Sequence, residues 1–177
     1  MKKNSVYIAT SKDGFIATLD GGIDWLMDIP NPNNLDYGYG EFMSSIDALI
    51  MGRKTYEKVL SFDGEWPYDK KVFVLSQSLI SVDPKLQNQV EIINGGLNEI
   101  LNTLHQKGHE NLYIDGGKTI QSFLKEDLID EMIISEIPKT LTEGIPLFEN
   151  TAHEDRFELD SQTEFENGIV QSIYKRV

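Results

Sequence analysis

Cysteine is absent from this chain of 177 residues, and positive charge is scarce. Without cysteine there is no disulfide, no thiolate-bound zinc, no cysteine-held iron–sulfur cluster and no cysteine nucleophile. The 16 lysine and arginine residues face 29 aspartate and glutamate residues, for a formal net charge of −13. Nucleic-acid binding relies on clustered lysine and arginine, so this balance argues against a nucleic-acid partner. A small anion is still compatible, because a few local cations can hold one phosphate.

Long apolar runs are also missing. Near the N-terminus only Val6–Ala9 is continuously apolar, which is too short for the core of a signal peptide or for a membrane span. We therefore expect no membrane partner and a cytoplasmic location. There is no repeat, low-complexity tract or linker, and a chain of this length can bury roughly 70% of its unfolded surface. The sequence predicts a single domain over residues 1–177.

Six short runs rich in β-branched and aromatic residues predict buried strands. They show little alternation between apolar and polar residues, as expected of a parallel sheet with both faces covered by helices. An α/β fold follows. The runs are Val6–Ala9, Ala48–Met51, Val72–Leu75, Val90–Ile93, Leu112–Ile114 and Met132–Ile134.

Helical periodicity lies between these runs. A stripe of apolar residues at helical spacing covers residues 120–124, and shorter helices are expected over residues 36–46 and after Gly52. The clearest stripe stops before Gly108, a residue type that favours the C-terminal end of a helix. Its members are Leu97, Ile100, Leu101 and Leu104.

The C-terminal part predicts an antiparallel hairpin. Asn167-Gly168 stands between β-prone segments at 157–159 and 168–174, and this dipeptide favours a type I′ turn, in which both central residues take positive φ. The predicted fold is therefore α/β, with a mostly parallel central sheet flanked by helices on both faces and an antiparallel C-terminal hairpin. The long irregular loop at residues 29–34 is a candidate functional loop.

Two strand–glycine–helix junctions are candidate ligand sites, because open α/β sheets bind ligands at the carboxyl ends of their strands. In the first, residues 48–56, Gly52 allows close approach of an anion, Arg53 can hold a phosphate and Thr55 offers a hydroxyl. The second, residues 112–119, has a glycine pair at the start of a helix. Such junctions are also common turns. Neither is a Walker loop or a G-x-G-x-x-G fingerprint, which disfavours a nucleotide triphosphatase.

The remaining candidate groups predict no metal site and no hydrolase. His105 and His109 have helical spacing, but Gly108 separates them and no acidic ligand pattern accompanies them, so we expect solvated histidines at a helix end. His153 lies in a charged loop and is expected to be exposed. A serine hydrolase of the α/β class would need a G-x-S-x-G turn, which the sequence lacks.

The two junctions resemble motifs of dihydrofolate reductases. Residues 50–57, IMGRKTYE, are similar to the motif MGRxTxE, and residues 113–124, YIDGGKTIQSFL, are similar to IGGGxxYxxFL. The strand end at residues 74–76, VLS, resembles the family's LSR or LSS. The resemblance spans nearly the whole chain in the same order. It implies a dihydrofolate reductase-like fold and NADPH as the cofactor.

Other segments resemble a sister branch, the reductase domain of bifunctional riboflavin-biosynthesis proteins. Residues 11–25 are similar to its pattern S-x-D-G-x-I-A…G-x-S-x-W-I, residues 115–117 to its E-G-G, and residues 142–148 to its G-x-P-L-F. There is no room for the zinc-dependent deaminase half. The resemblance therefore implies a stand-alone reductase domain. Reductases of this branch tend to be dimers, so we expect a homodimer.

The resemblance also implies roles in cofactor binding. Arg53 and Ser76 would face the 2′-phosphate of NADPH, and Ala9 and Ile16 would line the nicotinamide. The remaining phosphates would be held by glycine, hydroxyl and lysine residues of the two junctions. These residues are Gly52, Lys54, Thr55, Gly116, Gly117, Lys118 and Thr119.

On the substrate side, the resemblance places Tyr7 and Trp25 at the border of the substrate. Asp36 stands 16 positions before Gly52, which is the offset of the carboxylate that orients the pterin in dihydrofolate reductases. Asp36 is therefore the candidate catalytic residue. Two alternatives are open: Asp36 caps the following helix, or Asp28 or neither residue supplies the carboxylate.

Three functions compete. The leading interpretation is an NADPH-dependent reductase that transfers hydride to a small heterocyclic or ribosylaminopyrimidine substrate, similar to 5-amino-6-(5-phosphoribosylamino)uracil reductase. The second is a dihydrofolate reductase acting on a pterin. The third is an NADP-binding module with little catalysis. In both enzymes the cofactor supplies the hydride, while the protein supplies geometry and a proton.

Overall fold

The computed structural model describes residues 2–149 and 156–177. These residues form strands and helices, with two short 3-10 helices over Asp24–Asp28 and Pro84–Leu86. The strands are β1 (Lys3–Ser11), β2 (Phe15–Ala17), β3 (Ala48–Gly52), β4 (Lys71–Leu75), β5 (Val90–Ile93), β6 (Asn111–Asp115), β7 (Glu131–Ile137), β8 (Ile145–Pro146), β9 (Phe157–Glu164) and β10 (Val170–Arg176). The helices are α1 (Tyr39–Ser45), α2 (Arg53–Leu60), α3 (Leu97–Gln106) and α4 (Gly117–Lys125).

Eight strands form one sheet in the order β5-β4-β3-β6-β1-β7-β10-β9. The neighbouring pairs from β5 to β7 are all parallel, and β1 lies between β6 and β7. Strand β10 runs antiparallel to β7, and β9 runs antiparallel to β10. All six predicted strands are present. The mostly parallel sheet with an antiparallel C-terminal hairpin confirms the predicted fold class.

Helices cover both faces of this sheet, because successive strand residues point to opposite sides. Ile50 of β3 belongs to the hydrophobic cluster under α3 and α4. Its neighbours Leu49 and Met51 belong to the cluster under α1 and α2. Because these strands are parallel, their carboxyl ends lie at one edge of the sheet. Helices α2 and α4 begin at this edge, directly after β3 and β6.

Helix α3 ends as the sequence predicts. Gly108 takes a φ of +91°, and its N–H donates to the carbonyl oxygen of His105 at 3.1 Å. The N–H of His109 donates to the carbonyl oxygen of Leu104 at 3.0 Å. These two hydrogen bonds form a Schellman motif, which glycine permits because it adopts positive φ without steric cost.

The expectation of solvated histidines at this helix end is wrong for one atom. The Nε2 of His105 is buried without a hydrogen-bond partner among the described residues. Burial is also the largest cause of the lowered pKa of His105. The ring of His109 packs against Phe73, with ring centres 5.3 Å apart. His153 lies outside the described residues.

The C-terminal hairpin is present, but its turn is not type I′. Gly168 has a φ of +82°, whereas Asn167 is not in the positive-φ region. The N–H of Gly168 donates to the carbonyl oxygen of Phe165 at 2.9 Å, and the N–H of Phe165 donates to the carbonyl oxygen of Ile169 at 2.9 Å. These bonds close a three-residue loop with glycine in its last position, the other common hairpin connection.

A second, small sheet was not predicted. Strand β2 pairs antiparallel with β8, with Phe15 opposite Pro146 and Ala17 opposite Ile145. Segments of two or three residues are too short to show a periodic pattern. This sheet holds Ile16 against Gly117 at the start of α4. Among the described residues, no helix is both long and apolar enough to span a membrane.

Candidate functional site

The two glycine junctions meet at the carboxyl edge of the sheet. Strands β3 and β6 are neighbours, with Met51 paired to Asp115, so the residues that follow them emerge side by side. A Cβ atom on Gly116 would lie 2.2 Å from Oγ1 of Thr55. A Cβ atom on Gly52 would lie 3.0 Å from Oγ1 of Thr119. Each junction therefore places its threonine against the glycine of the other, and only glycine leaves room for this approach at Gly116.

Both helices that begin here lack a side-chain cap. Gly52 is the N-cap of α2 and Gly116 is the N-cap of α4, and neither offers a side chain to the first N–H groups of its helix. The free N–H groups and the helix dipole give each start a partial positive charge that favours anions. Two such starts in contact form a site suited to a ligand with several phosphate oxygens.

Positively charged side chains surround this site. Arg53, Lys54 and Lys118 are exposed at the two helix starts. The Nε of Arg53 lies 3.6 Å from Oε1 of Glu57, one turn along α2. Because both side chains are exposed, this ion pair is weak and leaves Arg53 able to turn toward an anion.

Ser76 lies beside Arg53 at the same edge. Gly52 pairs with Leu75 in the sheet, so Arg53 and Ser76 are the first residues beyond this pair. Ser76 is 9% exposed, and its Oγ accepts hydrogen bonds from the N–H groups of Ser78 at 3.2 Å and Leu79 at 3.0 Å. Its hydroxyl is held in place by these bonds and can still donate its own proton.

Ile16 reaches the second junction from the small sheet. A Cβ atom on Gly117 would lie 2.3 Å from Cδ1 of Ile16, so the isoleucine side chain covers the first turn of α4. Ala9 does not join this contact. It packs instead in a hydrophobic cluster with Trp25. The structure thus brings Ile16 to the start of α4 and places Ala9 elsewhere.

Tyr7 and Trp25, the two residues predicted to border the substrate, belong to two different hydrophobic clusters. The hydroxyl of Tyr7 donates to the carbonyl oxygen of Tyr37 at 2.9 Å, which ties β1 to the loop before α1. Trp25 is 6% exposed, and its indole N–H has no hydrogen-bond partner among the described residues. A buried indole N–H usually finds an acceptor, and this one has none among the described residues.

Asp36 binds backbone N–H groups at the start of α1, where Gly38 is the N-cap residue. Its side chain is exposed, and its two carboxylate oxygens accept hydrogen bonds from the N–H groups of Gly38 at 3.0 Å and Gly40 at 3.1 Å. These bonds lower the pKa of Asp36 below its ordinary value. Asp28 is also exposed and forms an ion pair with Lys139. The catalytic role of Asp36 stays a prediction, and its contacts match the capping alternative.

Asp115 is the residue that sequence reasoning did not single out. It ends β6, directly before the Gly116-Gly117 pair, and its Oδ1 accepts a hydrogen bond from the N–H of Gly116 at 2.8 Å. Burial raises the pKa of its carboxyl group to about 6, although the Gly116 N–H and the Tyr113 hydroxyl partly oppose this shift. The available sequence signal was an acidic residue between a buried strand and a glycine pair.

Four tyrosines surround this carboxyl group and the adjoining surface. The ring centres of Tyr7 and Tyr39 are 5.3 Å apart, and the hydroxyl of Tyr113 donates to the carbonyl oxygen of Tyr7 at 2.9 Å. Burial, followed by the charge of Asp115, raises the pKa of Tyr39 to about 12 and that of Tyr68 further. We call Tyr7, Tyr39, Tyr68 and Tyr113 the tyrosine wall. Its hydroxyl groups are neutral at physiological pH and suit an aromatic ligand.

Comparison with known proteins gives one family match. The family described as the RibD C-terminal domain matches residues 5–171. Two uncharacterised proteins of Bacillus subtilis (strain 168) are similar over most of their length. YwjB is 38% identical over 170 residues, which is 95% of each chain. YyaP is 29% identical over 180 residues, which is 94% of this chain and 91% of that one.

Solved structures share the fold. A protein of Shewanella sp. PV-4, provisionally assigned to riboflavin biosynthesis, has a TM-score of 0.94 and 46% identity, covering 100% of this chain and 99% of that chain. The diaminohydroxyphosphoribosylaminopyrimidine deaminase/5-amino-6-(5-phosphoribosylamino)uracil reductase of Thermotoga maritima has a TM-score of 0.76 and 14% identity. The match covers 99% of this chain and 57% of that chain. The second likeness shows a common fold, which is dihydrofolate reductase-like. With its family matched over nearly the whole length, the chain belongs to the RibD C-terminal domain family.

Proposed function

We propose that this protein is an NADPH-dependent reductase of a small heterocyclic substrate. One observation carries the proposal: the glycine junctions after β3 and β6 pack into each other and present two uncapped helix starts at one edge of the sheet. This arrangement suits the several phosphate groups of a dinucleotide. The family match and the similarity to a protein assigned to riboflavin biosynthesis support a reductase.

The cofactor fits the residues that are present. Gly52, Gly116 and Gly117 have no Cβ atom, so Thr119, Thr55 and Ile16 pack directly against them and the two helix starts lie close together. Arg53 would bind the 2′-phosphate through its planar guanidinium group, with Ser76 beside it. Lys54, Thr55, Lys118 and Thr119 would contact the remaining phosphates, and Ala9 and Ile16 would pack on the nicotinamide. When bound, NADPH supplies the hydride.

The residues of this chain would then orient the substrate and donate one proton to it. Tyr7 and Trp25 border the surface where the substrate ring would lie. The carboxyl group of Asp115 has a pKa of about 6, so it is protonated in about a tenth of the protein molecules at neutral pH. A carboxyl group poised in this way can donate a proton to a substrate nitrogen as it becomes basic. The tyrosine wall keeps water away from that group.

Cofactor preference tests the proposal directly. The two tryptophans allow fluorescence titration of the protein with NADPH and with NADH. We expect NADPH to bind at least about tenfold more tightly, since one charge-assisted hydrogen bond contributes about 1.5–3 kcal/mol. Arg53→Ala should remove this preference. Lys58→Ala, in the last turn of the same helix, is the matched control and should keep it. Failure of both cofactors to bind would contradict the proposed function.

Substrate identity needs a second assay. NADPH oxidation is measured with 5-amino-6-(5-phosphoribosylamino)uracil and, separately, with dihydrofolate. Turnover of the pyrimidine supports the leading proposal, and turnover of dihydrofolate supports a dihydrofolate reductase. Tight NADPH binding with no turnover of any heterocycle would support an NADP-binding module instead.

A further inference from the structure

A cavity of about 410 Å³ opens on one face of the eight-stranded sheet. None of its described lining residues belongs to a helix or to either glycine junction. Its floor contains Met132 and Ile134 of β7 and Ser172 and Tyr174 of β10. Met132 is paired with Tyr174, and Ile134 with Ser172, so these four side chains point to the same face of the sheet. We call this cavity and its lining the sheet groove.

The sheet groove exposes apolar surface that the helices leave uncovered. The hydrophobic cluster under α3 and α4 continues past these helices to Ile134, Tyr174 and Phe157, which are only partly buried. Phe148 also lines the groove and is exposed. A contiguous group of apolar side chains at the surface is typical of a site where another molecule binds.

Two opposite charges lie in the groove without partners. Lys12 and Glu136 are the charged side chains among its described lining residues. Both are exposed, and neither forms an ion pair within the described part of the chain. Glu136 is paired with Thr10 in the sheet, and Lys12 follows Thr10 by two positions, so both charges lie where β1 and β7 end. The described residues of the groove therefore add no net charge.

The edge of the sheet beside the groove is poorly suited to association. The edge strand β9 has the sequence FELDSQTE, which contains carboxylates but no lysine or arginine. The described ion pair of this strand joins Asp160 to Lys175 of β10 and leaves Glu158 and Glu164 outside it. Pairing this edge with the same edge of another copy would bring carboxylates together, and natural sheets use such charges against edge-to-edge association. We therefore expect association through the face of the sheet.

Charge selects the occupant of the groove. Each chain has a net charge of −13, so two copies repel each other except where their surfaces carry no net charge. A basic partner would favour the acidic edge over the neutral groove, and an acidic partner would be repelled. In a two-fold dimer, if residue i of one copy contacts residue j of the other, then j also contacts i. Lys12 of each copy can therefore pair with Glu136 of the other.

We propose that the sheet groove is the interface of a two-fold symmetric homodimer, in which Lys12 of each copy pairs with Glu136 of the other copy. Phe148 of each copy is buried in the same interface. The family resemblance implies a dimer but no particular surface. This inference goes beyond the proposed function, since neither the cofactor nor the substrate takes part in it.

Charge reversal tests this pairing. Sedimentation equilibrium of the full-length protein gives the dissociation constant of the dimer. Lys12 and Glu136 are exposed, so the variants should fold. We expect Lys12→Glu and Glu136→Lys each to weaken dimerisation by about tenfold or more, because each change turns two attractive pairs into two repulsive ones. The double variant should recover most of this loss, since it restores both pairs with their signs exchanged.

The two single variants also exclude a general effect of net charge. Lys12→Glu makes each copy more acidic, whereas Glu136→Lys makes it less acidic, so general repulsion would change the two dissociation constants in opposite directions. Lys85→Glu is the matched control, because Lys85 is exposed on the 3-10 helix between β4 and β5. It should change the constant by less than about twofold.

Several outcomes would overturn the inference. One is a natural protein that stays monomeric at every concentration. Another is a dimer that neither single reversal weakens, which would place the interface on a different surface. The third is a double variant that dimerises no better than the single variants, because the two charges would then not face each other.

An aromatic substitution gives a second, independent readout. Phe148 lines the groove and is 41% exposed, whereas Phe62 lies beyond the end of α2 and is 48% exposed. We expect Phe148→Ser to weaken dimerisation about tenfold, because its ring is buried against the other copy, and Phe62→Ser to leave it unchanged. Circular dichroism shows whether both variants fold. Equal effects of the two substitutions on the dissociation constant would overturn the inference.

Discussion

At the scale of single residues, the buried carboxyl group of Asp115 makes stability depend on pH. Its carboxyl group lies beside Gly116 and among tyrosines, and burial raises its pKa to about 6 from an ordinary value of 3.8. In the unfolded chain the group loses its proton near pH 4. Its contribution to stability is therefore complete below pH 4, declines as the pH rises and is lost above pH 6.

Replacing this carboxyl group should stabilise the protein at neutral pH. A shift of about two pKa units corresponds to roughly 2–3 kcal/mol of unfolding free energy. We expect Asp115→Asn to be more stable than the natural protein by about that amount at pH 8 and to lose this advantage below pH 4. Urea denaturation across this pH range measures the difference. A gain that is the same at every pH would contradict the assigned cause.

Gln171 fixes the loop that precedes α1. Its Nε2 lies 3.0 Å from the carbonyl oxygen of Tyr37, 3.0 Å from Oγ of Ser135 and 3.3 Å from the hydroxyl of Tyr7. Tyr37 has a φ of +54°, an unfavourable conformation for a non-glycine residue, so it depends on such contacts.

Removing these hydrogen bonds should destabilise the protein measurably. We expect Gln171→Leu to lower the unfolding free energy by about 1–3 kcal/mol, because buried acceptors lose their donor. Gln162→Leu, on the adjacent strand β9, is the control. Gln162 donates to Oγ of Ser172 and is exposed, so its loss should be about 0.5 kcal/mol or less. Thermal and urea denaturation of both variants provide the comparison, and equal losses would contradict the role of Gln171.

At the scale of elements, the contact between the first turns of α2 and α4 explains the glycine between β6 and α4. Gly116 has a φ of +88° and lies against Thr55. A side chain at this position would meet both backbone strain and a collision. Gly108, at the end of α3, has a similar φ of +91° but nothing within 4 Å of the position its Cβ would take. Substitutions at Gly108 and Gly116 can therefore separate the cost of backbone strain from the cost of the collision with Thr55.

Alanine substitutions at these glycines make the separation measurable. Gly108→Ala should cost about 1 kcal/mol through backbone strain alone. Gly116→Ala should cost more, since the added Cβ collides with Thr55. Thr55→Ala in the Gly116→Ala background should recover the difference between them. Urea denaturation gives the three values, and identical losses for the two single substitutions would show that the helix starts are not in contact.

The sequence predicted those elements whose signal is local. The stripe of α3 and the apolar runs of the parallel strands depend on neighbouring residues, and both are confirmed. The turn at Asn167-Gly168 was predicted wrongly because the same dipeptide fits two loop lengths, and the pairing of β10 with β7 selects one of them. The raised pKa of Asp115 could not be predicted, since it results from burial, which depends on how distant segments of the chain pack around it. Asp36 matched the position of the pterin-orienting carboxylate of dihydrofolate reductases. Its carboxylate accepts hydrogen bonds from the N–H groups of Gly38 and Gly40 in the local turn.

At the scale of the whole molecule, the net charge of −13 and the proposed ligand act against each other. A polyanionic cofactor must bind to an acidic protein through local groups: the two helix starts and the cations beside them. Under the proposed function, these cations are Arg53, Lys54 and Lys118.

The homodimer expected from the family resemblance stays a prediction at this scale. Sedimentation equilibrium should give twice the 20.1 kDa mass of one chain at micromolar concentration. The mass should fall toward that of one chain on dilution if the interface is of ordinary size. A single-chain mass at every concentration would contradict the expectation.

The central position of β1 has a consequence for synthesis of the protein in the cell. Strand β1 leaves the ribosome before both of its partners, since β6 and β7 begin only at Asn111 and Glu131. At about 5–20 residues per second, the first strand waits on the order of 5–20 s before either partner is available. During that interval the strand that contains Val6 and Ile8 has neither β6 nor β7 to pair with. The first strand is therefore the segment that a chaperone would have the longest opportunity to protect, and its pairing between β6 and β7 completes the sheet only late in translation.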